Sequence, residues 1–211
     1  MIIHKIIIMV DLGDLREGVW PNDLLPLVKE VVEMKGVKII GLGTNLTDLN
    51  GTIPTYENNK QLVDLAQEIE EIFNLKLEYL SAGNSSSLKL LEAGKIPKRI
   101  NHFRIGEGIL LGRETIYREK CPNTYQDGFE LHAEIIEKKL KPSVPIGEIG
   151  QDAFGNIPTV EDKGMMLRSI LNIGRQDTKV DGISPINDNL TILGATSDHL
   201  LIDLTRETNL T

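Results

Sequence analysis

Two short turns in the first half of the chain concentrate groups that bind anions. AGNSSS (82–87) follows an apolar run and leads into a leucine-bearing segment, offering glycine backbone, a carboxamide and three hydroxyls. Glycine lets backbone N–H groups approach an anion, serine adds donors, and a helix N-terminus adds a favourable dipole. RIGEG (104–108) adds one cation and two glycines at the end of the next apolar run. Together the turns could surround one phosphorylated, planar ligand. Taken singly, each has a plainer explanation: a helix cap for the first and a surface arginine at a glycine-tolerant corner for the second. DLGDLREG (11–18) and GLGTNLTD (41–48) close two further apolar runs in the same way.

The runs that carry these turns alternate with amphipathic segments. KIIIMVDL (5–12), VKIIGLGT (37–44), LKLEYLSA (75–82) and HFRIGEGILLG (102–112) read as buried strands. Leu24, Leu27, Val28, Val31 and Val32 recur at helical spacing after the first. Leu62, Leu65, Ala66, Ile69, Ile72 and Phe73 do so after the second, and a short helix through Leu88, Leu90 and Leu91 follows the third. Alternation of this kind predicts a parallel α/β sheet or barrel, with ligands at the C-terminal ends of its strands. Beyond about residue 118 the pattern changes. Segments 129–140, 165–174, 189–195 and 199–205 read as strands separated by Gly, Pro, Asn and Asp. The fold class is therefore α/β plus all-β, with domains at 1–118 and 119–211.

Composition narrows the function classes. The 211 residues are 40% hydrophobic and 26% charged, as in an ordinary globular protein. A formal net charge of -8 argues against a broad nucleic-acid surface. One cysteine, Cys121, excludes an internal disulfide and fits a reducing, cytoplasmic setting. His4 and Lys5 interrupt the apolar N-terminus, and Asp11, Asp14 and Arg16 follow where a signal peptide or membrane span would continue. No metal site and no membrane partner are expected.

These residues resemble the alanine racemase-like enzymes that depend on pyridoxal 5′-phosphate, most closely the ornithine (alanine/ornithine) racemase branch. The resemblance covers essentially the whole chain. It implies the second half of a (β/α)8 barrel, with its last four strands, followed by a C-terminal β domain. MVDLGDLREG (9–18) is similar to a family strand motif and matches Arg16 to the active-site arginine. LGTNL (42–46) matches Asn45 to the residue lying against the cofactor ring, where the alanine racemases usually have histidine. GNSSS resembles the family's Asn-Ser pair, implying Ser85 on the cofactor phosphate with Asn84 beside it. RIGEG resembles the Arg-x-Gly motif, implying Arg104 at the pyridine nitrogen and backbone amides of Gly106 and Glu107 on the phosphate. GATSDHLLIDLT (194–205) is similar to the segment that places Ser197 and Asp198 near the substrate carboxylate.

Arginine keeps its proton, so Arg104 would leave the pyridine nitrogen unprotonated. A ring in that state is a weaker electron sink, which favours simple proton return. Related decarboxylases have a carboxylate there, so the resemblance implies an amino-acid racemase, with ornithine or a similar basic amino acid as substrate. Small carrier proteins with the same barrel lack the second domain.

The chain departs from the family pattern in two places. The family's Schiff-base lysine lies on the first barrel strand, and this chain matches from about the fifth. Lys5 lies at the wrong end of its strand, and Lys29, Lys35 and Lys89 read as solvated charges. The matched stretches thus carry no catalytic lysine. LNIGRQD (171–177) places Arg175 where the family has its opposite base, a tyrosine. Arginine is a poor base, so either another residue serves, such as Asp177 or Asp198, or the racemisation geometry differs; a turn residue is the plainer reading of Asp177. A half barrel would expose KIIIMVDL and RIGEGILL as open edges, and such edges pair with something. The expectation is a fragment, a homodimer, or a barrel completed by an N-terminal half chain. The alternative is a non-catalytic cofactor- or phosphate-binding protein.

Overall fold

The computed structural model describes residues 2–152 and 154–207, so the last four residues of the expected second domain lie outside the described residues. The chain divides into two compact units, Met1–Glu130 and Leu131–Thr211. Residues 119–130 group with the first unit because they fold back on it. Cys121 N–H donates to the Gly112 carbonyl at 2.9 Å, and the Thr124 hydroxyl donates to the same carbonyl at 2.8 Å.

The first unit contains a parallel sheet of β1 (His4–Met9), β2 (Val37–Thr44) and β3 (Tyr79–Ala82), in that order. α1 (Leu24–Val32) and α2 (Tyr56–Phe73) connect them. α2 starts at Thr55, whose hydroxyl accepts the Asn58 N–H while the Asn58 side chain accepts the Thr55 N–H. It stops at Asn74, which takes the left-handed conformation (φ 51°). A bulge in β2 at Ile40 shifts the β1 register, pairing Ile6 with Ile39 but Ile8 with Leu42. Ile6, Ile8, Val10, Ile39 and Leu42 therefore share one sheet face. They pack there with Leu24, Val28, Leu62, Ala66, Ile69 and Leu80. The opposite face carries Met9, Gly41, Gly43 and Ser81. A Cβ on Gly41 would lie 2.3 Å from the Tyr79 carbonyl oxygen, so only glycine fits against β3 there.

The expected fourth strand, 102–112, is not formed. A single parallel bridge joins His102 to Ser81, after which the chain turns into α4 (Glu107–Leu110). Gly106 and Gly108 open that turn, and the Ile109 and Leu110 N–H groups bond back to the Gly106 carbonyl rather than to β3. The apolar run ILL reads as a strand in sequence, yet Ile109 and Leu110 are exposed on this helical turn. The first sheet thus has three strands, not four. The short helix α3 (Leu88–Glu92) forms as expected, behind a 3-10 turn at Ser85–Ser87.

The second unit is an antiparallel sheet of β4 (Ile135–Pro142), β5 (Met165–Leu171), β6 (Thr191–Ala195) and β7 (Leu200–Asp203), in the order β4-β5-β7-β6. Its buried core is small: Leu171, Leu200, Ile202 and Leu204, with partly buried neighbours such as Leu167 and Ile192. Residues 129–134, expected as strand, precede β4 without joining it. No helix among the described residues is long and apolar enough to cross a membrane.

Candidate active site

The site is assembled from the C-terminal ends of β1, β2 and β3 and the turn that replaces the fourth strand. After β1 the chain loops out and returns, so that Val19 N–H donates to Met9 O (2.9 Å) and Asp11 N–H to Val19 O (3.0 Å). Gly18 makes this closure possible. Its φ is +120°, and a Cβ would lie 2.6 Å from the Asp11 nitrogen. Inside the loop, Asp11 Oδ1 accepts the N–H groups of Gly13 and Leu15.

Asp14, 1% exposed, takes up the loop that follows β2. Its carboxylate accepts N–H groups from Thr47 (3.1 Å), Leu49 (2.8 Å), Asn50 (3.2 Å) and Thr52 (3.2 Å). Burial works against its charge, but these four donors prevail and hold the carboxyl below its ordinary value.

An open cleft of about 320 Å³ is lined by Asn45, Asp48, Asn84, Ser85, Arg104, Gly106, Glu107 and Thr115. All six residues expected to hold the cofactor thus lie around one cleft, and Asp48 and Thr115 join them. Ser85 Oγ accepts the Gly108 N–H at 2.9 Å. With that lone pair used, its hydroxyl hydrogen is left to donate outward. A Cβ on Gly106 would meet open space, so backbone at the start of α4 faces an accessible volume. The first N–H groups of a helix have no intrahelical acceptor. Asn84 Oδ1 accepts the Ser86 N–H at 2.7 Å, which caps the 3-10 turn as the plainer reading of GNSSS has it. Gly83 (φ +147°) lies so close to Phe103 that a Cβ would sit 2.6 Å from its ring.

The Arg104 guanidinium is anchored from behind. Nη1 donates to Ser81 Oγ, and Nη2 donates to the Thr44 carbonyl at 2.9 Å. Partial burial lowers its pKa, while the nearby Glu17 and Asp48 carboxylates oppose that shift. With two of five N–H groups engaged, it remains a cation with donors to spare. The Glu107 side chain turns away to Arg113 (2.8 Å) and Arg118. Burial opposes its charge, but the two arginines hold its carboxyl below the ordinary value.

Arg16 is not among the lining residues but bonds to one. Its Nη2 donates to Asp48 Oδ2 at 2.7 Å, and Glu17 pairs with it at 2.5 Å. Lys89 is engaged elsewhere: it pairs with Glu119 and lies 5.3 Å from the Tyr117 ring centroid. The bond to Glu119 raises its pKa and keeps it protonated. Among the described residues, no lysine lines the cleft.

In the second unit, the residues expected near the substrate meet at one turn. Arg175 N–H donates to Thr196 O and Gln176 N–H to Ser197 O, both at 2.9 Å. Gly174 lies so close that a Cβ would be 2.4 Å from Ser197 O. Asp177 Oδ2 accepts the Gly174 N–H (2.9 Å), so it does serve as a turn residue. Asp198 accepts from the Ser197 and Thr196 hydroxyls, which lower its pKa. Arg175 Nε donates to Ala195 O (3.0 Å), and its guanidinium lies 4.7 Å from the Phe154 ring centroid.

Sequence reading missed Asp48, Thr115 and Asp14. Asp48 ends the quoted GLGTNLTD run, and Asp14 lies inside DLGDLREG. Their signal was a carboxylate in a glycine-bearing turn, which equally describes a common loop residue.

Residues 3–114, more than half of the chain, match the family model described as "Alanine racemase, N-terminal domain". The chain is 50% identical over 203 residues to ornithine racemase of Acetoanaerobium sticklandii, covering 96% of this chain and 58% of that protein. It is 41% identical over 201 residues to lysine racemase of Thermotoga maritima, covering 95% and 56%. It thus spans little more than half the length of the curated relatives it matches. Its fold is similar to alanine racemase of Clostridium difficile 630, with a TM-score of 0.59 and 15% identity, over 100% of this chain and 54% of that one. From its α/β unit and the cleft at its strand ends to these likenesses, the chain belongs to the alanine racemase N-terminal domain family.

Proposed function

We propose that the chain is the second half of the (β/α)8 barrel, with the C-terminal β domain, of a pyridoxal-phosphate-dependent racemase of ornithine or a similar basic amino acid. The observation that carries this reading is the convergence of Asn45, Asn84, Ser85, Arg104, Gly106 and Glu107 on one cleft. The residues present fit the cofactor. Ser85 has a hydroxyl hydrogen to donate, and the backbone at Gly106 and Glu107 offers amides beside an accessible volume. These groups would hold the phosphate, Arg104 would face the ring nitrogen, and Asn45 and Arg16 would border the ring. Bound there, pyridoxal phosphate would supply an electron sink for the substrate α-carbon.

Arg104, fixed by Ser81 and Thr44, keeps a permanent cation at one point of the cleft and has no proton to give up at neutral pH. In the second unit, Asp198 and Ser197 would meet the substrate, and Asp198 would take or return a proton opposite the cofactor. Arg175 and Asp177 would frame the same turn. The soluble partners of this reading are the amino acid, a second copy of the chain, and the N-terminal half that completes the barrel. The single cysteine fits a cytoplasmic setting.

The lysine-free lining favours a second reading, a cofactor- or phosphate-binding protein without turnover. Co-expression with the N-terminal part of ornithine racemase that the chain does not match separates the two. With pyridoxal phosphate added, the optical rotation of L-ornithine should decay toward zero, and Arg104→Glu should abolish the decay. Cofactor binding without decay would favour the second reading, and absence of binding would overturn both.

A further inference from the structure

The geometry points to Asp48 as a positioning residue that holds the Arg16 and Asn45 side chains at the cleft. The inference rests on the reading of the cleft as a cofactor site. Three observations lead to it.

First, Asp48 is held by its neighbours. Thr47 and Leu49, on either side of it, both donate their N–H groups to the buried Asp14 carboxylate. Thr47 has φ 78°, a left-handed conformation that a β-branched residue rarely adopts. Such a conformation persists only where the surroundings over-determine it. Here they do. Thr47 Oγ1 also donates to the Thr52 carbonyl at 2.9 Å, and Asn50 Nδ2 donates to the Asp14 carbonyl at 2.6 Å. The loop crest is locked at the cost of a strained threonine, and the residue presented there is Asp48.

Second, Asp48 Oδ2 accepts from two residues of the proposed site: Arg16 Nη2 at 2.7 Å and Asn45 Nδ2. One carboxylate oxygen thereby ties the loop after β1 to the end of β2.

Third, Asp48 stands at the end of a chain of hydrogen bonds. An ionised carboxylate can only accept. Asn45 must turn its NH₂ toward Asp48, which leaves Asn45 Oδ1 to accept Asn84 Nδ2 at 3.0 Å. Asn84 Nδ2 also donates to the Leu46 carbonyl at 2.8 Å. Asn84 Oδ1 is then free to accept the N–H and hydroxyl of Ser86. Every donor points back toward Asp48, and the series ends on the turn that carries Ser85. The Leu46 carbonyl can only accept and the Ser86 N–H can only donate, so they orient Asn84, and the Asp48 carboxylate receives the NH₂ that Asn45 is left to present.

The test uses the chain itself, labelled with ¹⁵N. In Asp48→Ala, the Arg16 Nη and Asn45 side-chain NH₂ resonances should move to exposed, averaged positions, while the Arg16 Nε–H on Glu17, the Asn84 NH₂ on the Leu46 carbonyl and the β1–β3 backbone resonances stay. Affinity for pyridoxal phosphate, followed by its fluorescence, should fall about tenfold, the size of one charge-assisted hydrogen bond. Asp48→Asn, which keeps an acceptor but not the charge, should fall between and covers the case in which the alanine variant does not fold. Unchanged Arg16 Nη and Asn45 resonances in either folded variant would overturn the proposal. If the unmutated chain binds no pyridoxal phosphate, the cofactor reading fails while the side-chain resonances still decide the role of Asp48.

Discussion

The carboxylates of the two units are satisfied in different ways. In the first, Asp14 and Glu114 are each 1% exposed and accept four and three backbone N–H groups. In the second, Asp177 and Asp198 are exposed and bond within a turn. A buried acceptor with several backbone donors holds a loop in one shape, because each donor it releases would be left unpaired. An exposed one can exchange its partners for water. The first unit is thus built before any ligand arrives, whereas the second presents adjustable side chains. This division is the one that the proposed roles, a rigid cofactor cleft and an adjustable substrate-facing turn, would need.

The contrast breaks most sharply at Asp14. Asp14→Ala leaves four donors without an acceptor, and at about 1–3 kcal/mol per unpaired donor, less what loop relaxation recovers, the loss should be about 3 kcal/mol. Urea unfolding of the chain measures it, and a loss below about 1 kcal/mol would mean that water replaces the carboxylate. Gly18→Ala should follow at about 2 kcal/mol, since it combines a φ of +120° with a Cβ 2.6 Å from backbone. Asp177→Ala should cost about 1 kcal/mol or less, one turn hydrogen bond.

Acid gives a second way to compare the units. The Asp14 and Glu114 carboxyls are held below their ordinary values by backbone donors that outweigh burial. The unfolded chain therefore binds their protons first, and stability rises with pH. Their contribution is complete above about pH 3.9–4.3 and is lost as pH falls through the lower folded values. Asp14→Asn should flatten the dependence of the urea midpoint on pH in that acid window. In the second unit, Lys139 and Lys141 lower the partly buried Glu137 to about 2. Salt at 1 M screens that pairing and not the backbone bonds of Asp14. A carboxyl titration by NMR should show Glu137 moving toward its ordinary value while Asp14 stays, the smallest of these effects.

Much of this was legible in the sequence. The 3.6-residue spacing of Leu62, Ala66 and Ile69 announced α2, and the β-branched runs announced β1 and β2, because local periodicity reports which face is buried. Anion chemistry pointed to the AGNSSS and RIGEG turns, and the family resemblance named the six cleft residues. HFRIGEGILLG misled because periodicity alone cannot tell a short apolar run in a strand from a helical turn. Only its start reaches β3, through His102 N–H to Leu80 O, and from Ile109 on its backbone bonds within the turn.

By itself, the sequence determined which residue types stand at the strand ends, and with them the anion-binding groups that the turns present. Only the tertiary structure decided how they are held. Asp14 and Thr47 are 33 residues apart and become partners only when the loops after β1 and β2 converge. Asp48 acquires its role in the same way, by meeting Arg16, 32 residues distant. A carboxylate in a loop acquires a direction only from the donors that folding brings to it, and no local pattern records which donors those will be.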